Sequence, residues 1–371
     1  MIVFLNFAPI KFMGGSEKYM LETATKINKL EKTIVIDVSE KIANLYGKII
    51  LNRTFDSHKE KDSMNDSTEI YTIGILNFIP FTNKWYEIIS IFKEARLIYA
   101  RFEVLEIFLC FYFGGFNILK KVIAGLILSP VYFEAKKLSH KIHNIIYNSR
   151  FYGYLLRNSK KVHVLNKRDE RYIKKLYNLK NLRYIPIGFD IKSPKIISQK
   201  NSKLNIIYVG ELSYRKGVDV IIKVIKESSS NFEFHIVGDG PLKKDLIQLS
   251  KNIKNCKVYG YITNEELSDL YTKSDVIIFP SRGESFGMAM VEGMFYGLRI
   301  VNASEVSLEL PHTIETSIEN QNTNDYIKTL LSIHSDKMNN KLNKQNVISY
   351  ANANFSNKVT DQLFMKDLLS L

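Results

Sequence analysis

Short apolar runs alternate with helix-length amphipathic segments along this chain, and no other feature of the sequence restricts its fold as strongly. The second half shows the pattern best. Leu204–Val209 is a strand-like run, and Val218, Ile221, Ile222 and Ile225 then mark one face of a helix. Phe232–Val237 is followed by Pro241, suited to a first helical position, and by the stripe Leu242, Leu246 and Leu249. Thr263 and Glu266 spell a capping box ahead of Leu267, Leu270 and Tyr271, and the run Val276–Phe279 comes next. Apolar runs this short, separated by helices, imply βαβ units around a parallel sheet.

The first half repeats the grammar. Ile2–Phe7, Thr33–Val38, Leu97–Ala100, Val122–Leu126, Val162–Leu165 and Leu182–Ile187 read as strands, and Ser16–Leu30 as a helix with Met20, Ala24 and Ile27 on one face. Residues 52–68 are polar and read as a loop, and 191–203, with Pro194, as a linker. With 371 residues, 45% of them hydrophobic, the chain can bury two cores. The expected division is an α/β domain over 1–190, a second over 204–353, and a helix over 354–371 that crosses back to the first.

Several chemistries lack their residues. Cys110 and Cys256 lie in apolar runs without metal-like spacing, so a disulfide framework is not expected and a reducing cytoplasm is. The first residues have neither a basic leader nor a small-residue cleavage site, and they read as a strand. Val104–Leu119, interrupted by Glu106 and Asn117, is too short and polar to span a bilayer. No Asp-x-Asp pair, Walker lysine loop, zinc-like cluster or nucleophile elbow occurs. His163, inside a strand run, reads as a structural histidine satisfied by neighbours.

The stretch Phe279–Arg299, FPSRGESFGMAMVEGMFYGLR, reads as a strand end, a turn and a helix from about Phe286 to Tyr296. Such a turn offers unpaired N–H groups and the positive end of the helix dipole to a phosphate. With Ser285 as N-cap, Glu292 follows seven residues later on the helix face toward the turn, and Glu284 stands just before the helix. Carboxylates repel phosphate, so their partners would be hydroxyls of the same ligand, as on a phosphate-linked sugar or ribose. The pair by itself also fits an ordinary surface helix. Upstream, Gly210–Gly217 (GELSYRKG) brackets Arg215 and Lys216 at the carboxyl end of a strand, where open α/β sheets bind ligands. Gly238-Asp239-Gly240-Pro241 is a turn into a helix that falls short of a dinucleotide fingerprint.

Glu284, seven intervening residues and Glu292, with Phe286 and Gly287 between them, resemble the signature of the family 4 glycosyltransferases, retaining sugar-nucleotide-dependent enzymes of the GT-B fold. The resemblance implies two Rossmann-like domains facing across a cleft, the first for the acceptor and the second for a nucleotide-sugar donor. It places Lys216 and Arg215 on the donor diphosphate, with backbone support from Gly210 and from the turn at Ser285, Phe286 and Gly287. Glu292 would hold the ribose, Glu284 the donor sugar as the catalytic carboxylate, and the backbone at Tyr261 and Ile262 the base. Gly15, in Gly14-Gly15-Ser16-Glu17, matches a family pattern in the first domain. Two departures stand out: Glu211 occupies a position where the family usually has arginine, and no histidine follows Val122–Leu126. The implied activity is retaining hexosyl transfer to a glycan or lipid-linked acceptor, with the nucleotide-sugar as co-substrate, no further cofactor and no metal. An inactive glycan- or membrane-binding relative and a nucleotide-sugar epimerase of similar fold are the alternatives.

The formal charge of +14 is concentrated. Between Glu134 and Arg183 fourteen lysines and arginines face three acids, with Leu138, Ile142 and Ile145 on one helical face beside Lys137 and Lys141. Phe151, Tyr152 and Tyr154 follow. This composition fits either an anionic-lipid surface on a peripheral cytoplasmic protein or a solvated basic face, and nucleic acid is not the expected partner.

Overall fold

The computed structural model describes residues 1–6, 15–38, 69–73, 80–100, 104–126, 138–192, 202–228, 230–284 and 286–370. They form two compact units, Met1–Ile185 with Leu363–Leu371, and Pro186–Gln362. The polar stretch 52–68, Gly14, Lys136, Lys137 and Ser285 lie outside the described residues.

The first unit is built on a parallel sheet of seven strands: β1 (Ile2–Asn6), β2 (Thr33–Val38), β3 (Glu69–Ile73), β4 (Leu97–Ala100), β5 (Val122–Leu126), β6 (Lys161–Val164) and β7 (Leu182–Tyr184). Their order is β3-β2-β1-β4-β5-β6-β7. β4 and β5 are buried along their whole length, as strands covered on both faces must be. Helix α1 (Gly15–Asn28) turns Met20, Ala24 and Ile27 into the core. The outer strand β3 was not among the expected strands; it pairs with β2 from Ile34↔Glu69 to Val38↔Ile73. Its residues Ile70, Tyr71, Thr72 and Ile73 are of types enriched in strands, so this strand was legible in the sequence. The other described helices are α2 (Asn83–Glu94), α3 (Val104–Leu119), α4 (Leu138–Tyr147), α5 (Arg150–Asn158) and α6 (Lys167–Tyr177). No helix among the described residues is long and apolar enough to cross a membrane. Tyr152, grouped above with surface aromatics, is fully buried against Tyr147 and Tyr177, because α5 turns that side of itself inward.

The chain end belongs to this unit from Leu363 onward, a shorter piece than the 354–371 helix expected. Its π-helix, Phe364–Leu369, inserts Phe364, Leu368 and Leu369 among Ile2, Phe4, Tyr99 and Ile123. Lys161 Nζ donates to the Asp367 and Leu368 carbonyls and Arg96 Nη1 to Leu369 O at 3.1 Å, so two cations occupy the carbonyl-rich end of the helix.

The second unit carries six parallel strands: β8 (Leu204–Val209), β9 (Phe232–Val237), β10 (Cys256–Gly260), β11 (Val276–Phe279), β12 (Arg299–Ala303) and β13 (Glu315–Ile318). Their order is β10-β9-β8-β11-β12-β13. Helices α7 (Val218–Glu227), α8 (Lys243–Asn252), α9 (Asn264–Lys273), α10 (Met288–Phe295), α11 (Thr323–Met338) and α12 (Lys344–Phe355) pack around it. Ile206, Ile221, Val224, Phe234, Val276 and Ile278 are fully buried in its core; each such side chain contributes about 1.5–3 kcal/mol. At the amino edge, Asp275 accepts from Asn205 N at 3.0 Å and from Lys337 Nζ at 2.7 Å, tying α11 to β11. Residues 186–192 and 354–362 also belong here: Phe189 pairs with Ser356, stacks on Phe286, and lies beside Phe295.

Two helix starts differ from expectation. Pro241 lies in a turn two residues before α8, whose N-cap is Leu242, because Lys243 N bonds back to Gly240 O at 3.1 Å. Helix α10 begins at Met288 with Gly287 as N-cap, so Ser285 is not the cap and Glu292 stands five residues past it.

The strand order decides where this unit can bind. β8 and β11 are neighbours, with Val276 opposite Ile206 and Ile277 opposite Ile207. The chain leaves β8 toward β9 on one side and leaves β11 toward β12 on the other. Such a reversal opens a crevice at the carboxyl ends of the two strands.

Candidate functional site

Three loops meet at that crevice. The loop 210–217 follows β8, the turn 238–240 follows β9, and the turn 280–287 follows β11. Leu212 N donates to Asp239 O and Leu242 N to Leu212 O, both at 2.8 Å, which ties the first two together. Gly217 joins the first to the third. Its φ of +72° suits glycine, and a Cβ there would lie 1.9 Å from the Pro280 carbonyl oxygen. Any larger residue would force the loop and the turn apart.

The two candidate charges are brought into contact. Lys216 Nζ forms an ion pair with Glu284 Oε1, both side chains are largely enclosed, and the ammonium lies 5.7 Å from the Phe279 ring centroid. Arg215 is more exposed; it donates to Glu211 Oε2 at 3.1 Å and to Gly283 O at 3.4 Å. Glu211 therefore offsets part of the charge Arg215 brings.

A clamp that the sequence did not reveal holds this arrangement. Arg282 donates from both terminal nitrogens to Asp219, at 2.7 and 2.9 Å, and its guanidinium lies 3.8 Å from the centroid of the Tyr214 ring. Its backbone N–H donates to Arg215 O at 2.9 Å. A bidentate pair combined with ring stacking is the geometry for which arginine is suited and lysine is not. Asp219 lies in the first turn of α7 and Arg282 in the turn after β11, and no local pattern in the sequence joins them.

Helix α10 starts at the same edge, because a helix that follows a parallel strand begins at the strand's carboxyl end. Met290 N already donates to Gly287 O at 2.9 Å, and the N–H groups ahead of it carry the positive end of the dipole toward that edge. Gly287, with φ of +73° and ψ of 56°, makes the left-handed step into it. The Phe286 side chain is packed between Phe189 and Phe355, so what this residue offers a ligand is backbone. Glu292 lies one turn into the helix and accepts from the Tyr271 hydroxyl at 3.3 Å. Burial raises its pKa above the ordinary carboxylate value, and the Tyr271 hydrogen bond opposes that rise. Tyr271, read from sequence as one member of an apolar stripe, also stacks on Tyr296 at 5.2 Å.

The remaining candidates are Gly210, Tyr261, Ile262 and Gly15. Gly210 packs its carbonyl against Gly238, where a Cβ would come within 1.9 Å of it. Tyr261 and Ile262 follow β10, beyond β9, and Tyr261 is 78% exposed. Gly15 opens α1 in the first unit. His163 is buried in β6, with Nε2 2.7 Å from Ile185 O and Nδ1 2.7 Å from the Tyr99 hydroxyl. Among the described residues no cluster of His, Cys, Asp and Glu is arranged to hold a metal. The crevice thus combines an enclosed cation, a helix amino end and two carboxylates, which suits a ligand bearing both an anion and hydroxyl groups.

Residues 190–347 match the family described as Glycosyl transferases group 1. Among curated proteins, an uncharacterised 41.2 kDa protein of the cps region of Klebsiella pneumoniae is 34% identical over 29% of this chain and 30% of its own length. An uncharacterised glycosyltransferase of Methanocaldococcus jannaschii is 31% identical over 41% of this chain and 42% of its own. The phosphatidylinositol N-acetylglucosaminyltransferase gpi3 subunit of Schizosaccharomyces pombe is 25% identical over 47% and 40%. The matches therefore span less than half of these relatives' lengths. Among solved structures, Anabaena HepE in complex with UDP superposes with a TM-score of 0.74 at 16% identity, covering 100% of both chains. Sucrose-phosphate synthase from Thermosynechococcus elongatus gives 0.73 at 16% identity, over 100% and 99%. At such identities the likeness concerns the fold. The chain has the α/β GT-B fold, and residues 190–347 are a glycosyl transferases group 1 domain.

Proposed function

We propose that this protein is a retaining glycosyltransferase that moves a hexose from a nucleotide-sugar to a glycan or lipid-linked acceptor in the cytoplasm. The observation that carries the reading is the convergence of Lys216, Glu284 and the start of α10 on the crevice between β8 and β11. Lys216 and the α10 N–H groups would neutralise charge growing on the departing diphosphate oxygen as its bond to the sugar breaks. Glu284 would support the positive charge growing on the sugar ring and accept from its hydroxyls. Glu292, steadied by Tyr271, would accept from a ribose hydroxyl. Arg215 adds a second cation at the crevice mouth, discounted by its pairing with Glu211.

Glu284 and the diphosphate compete for Lys216 in this scheme. A bound diphosphate replaces Glu284 on the ammonium, and the released carboxylate becomes available to the sugar. The UDP and UDP-glucose complexes of HepE make uridine donors the first to test, and the gpi3 subunit relative supports a lipid-linked acceptor. The direct experiment incubates the protein with a panel of nucleotide-sugars and measures nucleoside diphosphate release. Release from at least one donor, dependent on Lys216, is the expected result. Binding without release across the panel supports an inactive relative, and conversion of one nucleotide-sugar into another supports an epimerase.

A further inference from the structure

Helices α3 and α5 in the first unit share an aromatic ridge that the catalytic reading does not use. Phe151 lies 5.5 Å from Phe108 and 6.2 Å from Phe111, and Phe116 lies 5.1 Å from Phe111 and 5.6 Å from Tyr154, ring centroid to centroid. The outer rings stay in solvent: Tyr112 is 46% exposed, Phe116 39%, Phe151 47% and Tyr154 45%. Helix α5 turns Tyr152, Gly153, Leu155 and Leu156 inward, which leaves Arg150, Phe151, Tyr154 and Arg157 as its outer face. That face has two cations, two aromatic rings and no acid.

The charge continues beyond the ridge. Lys120, exposed at the end of α3, follows one turn after Phe116. On α6, Lys167, Arg171, Lys174 and Lys175 are exposed, and Tyr172 of the same helix donates to Asn148 Oδ1 at 3.3 Å, just ahead of α5. Between residues 138 and 183 twelve lysines and arginines face two acids, and Asp169, one of the two, is buried against Arg168.

We infer that this ridge is a docking surface for an anionic lipid bilayer. Half-exposed rings are suited to the depth of lipid headgroups, where the apolar bodies of Phe116 and Phe151 leave water while the hydroxyls of Tyr112 and Tyr154 remain hydrated. Arginines beside the rings meet the negative headgroups at the same depth. Duplex nucleic acid would satisfy the cations but leaves the contiguous rings without a role. Single-stranded nucleic acid, which stacks on such rings, is the competing ligand that the assay excludes, and a protein partner does not account for so one-sided a charge. The docking needs no spanning helix. It places the first unit on the membrane, and it stands independently of the reaction proposed for the second.

The test is co-sedimentation of the full chain with vesicles of phosphatidylcholine alone, or of phosphatidylcholine with roughly one-third phosphatidylglycerol. Binding to the anionic vesicles, weaker as salt is raised, is expected. Arg150→Glu with Lys120→Glu, both on exposed positions, should lower the partition coefficient by about ten-fold or more, since each basic residue near an anionic surface is worth about five-fold. Phe116→Ser with Tyr154→Ser should lower it comparably while circular dichroism stays unchanged. Binding to neutral vesicles as well as to anionic ones overturns the inference, as does binding to none. So does an aromatic variant that folds and binds like the parent, a preference for nucleic acid over vesicles, or self-association through the ridge without vesicle binding. Because the assay requires no sugar donor, its failure is separate from failure of the glycosyl-transfer reading.

Discussion

The buried histidine makes stability of the first unit depend on pH in a way that can be worked out. Ile185 O can only accept, so His163 Nε2 carries the hydrogen at that contact, and Nδ1 accepts from the Tyr99 hydroxyl. The ring is wholly enclosed, and Phe364 packs 5.9 Å from it. Protonating Nδ1 would place a charge in this apolar site and force the Tyr99 hydroxyl to turn from donor to acceptor. Burial accordingly lowers the pKa from 6.5 to about 4, opposed by the hydrogen bond to Ile185. A histidine depressed on folding contributes stability that is fully present above the unfolded value and is lost as pH falls through the window from 6.5 to about 4. Within that window the unfolded chain binds a proton that the folded chain refuses. The slope is about 1.4 kcal/mol per pH unit, and the whole effect about 3 kcal/mol. The measurement is urea unfolding of the parent and of His163→Gln at several pH values across the window, following the transition of the first unit. Gln stays neutral, so the difference between the two proteins cancels the other titrating groups. The parent's advantage should shrink toward low pH with the stated slope. A difference that stays flat from neutral pH to about 4, or an NMR titration that puts His163 near its ordinary value, refutes the argument.

Four further predictions concern the crevice. Lys216→Ala should weaken nucleoside diphosphate binding by roughly 2 kcal/mol or more, as for truncating one member of an enclosed charge pair, and unchanged affinity by calorimetry counts against its role. Glu284→Gln should lower turnover about ten-fold or more, because its support matters most in the transition state. The same variant should bind free nucleoside diphosphate more tightly than the parent, since the competing carboxylate on Lys216 is gone; weaker binding would show that the pair organises the site instead of occupying it. Transfer should persist in excess chelator, because Lys216, Arg215 and the α10 amino end neutralise the leaving group; activity lost with chelator and restored only by a divalent ion removes that account.

Local patterns were legible wherever a residue's neighbours in sequence are also its neighbours in space. The apolar runs of the second half became β8, β9 and β11, and Thr263 and Glu266 form the reciprocal capping box of α9. Lys216 and Glu284 could be singled out because each sits in a turn between a strand and a helix, and such turns lie at the binding edge of a parallel sheet. The sequence could not bring them together. They meet because β11 pairs with β8 and not with β10, its predecessor in the chain, and that choice depends on how the connecting helices cover the sheet. The contact of Arg282 with Asp219 and Tyr214 spans more than sixty residues and has no periodicity that would betray it. The N-cap of α10 fell at Gly287 because the chain takes a left-handed step there before the helix can begin. Hydrogen bonds within one turn of helix, and the alternation of burial along a strand, are local and are written into the sequence. Which strands lie side by side, and so which charges share a crevice, is settled by packing among segments far apart in the chain, and only the tertiary structure decides it.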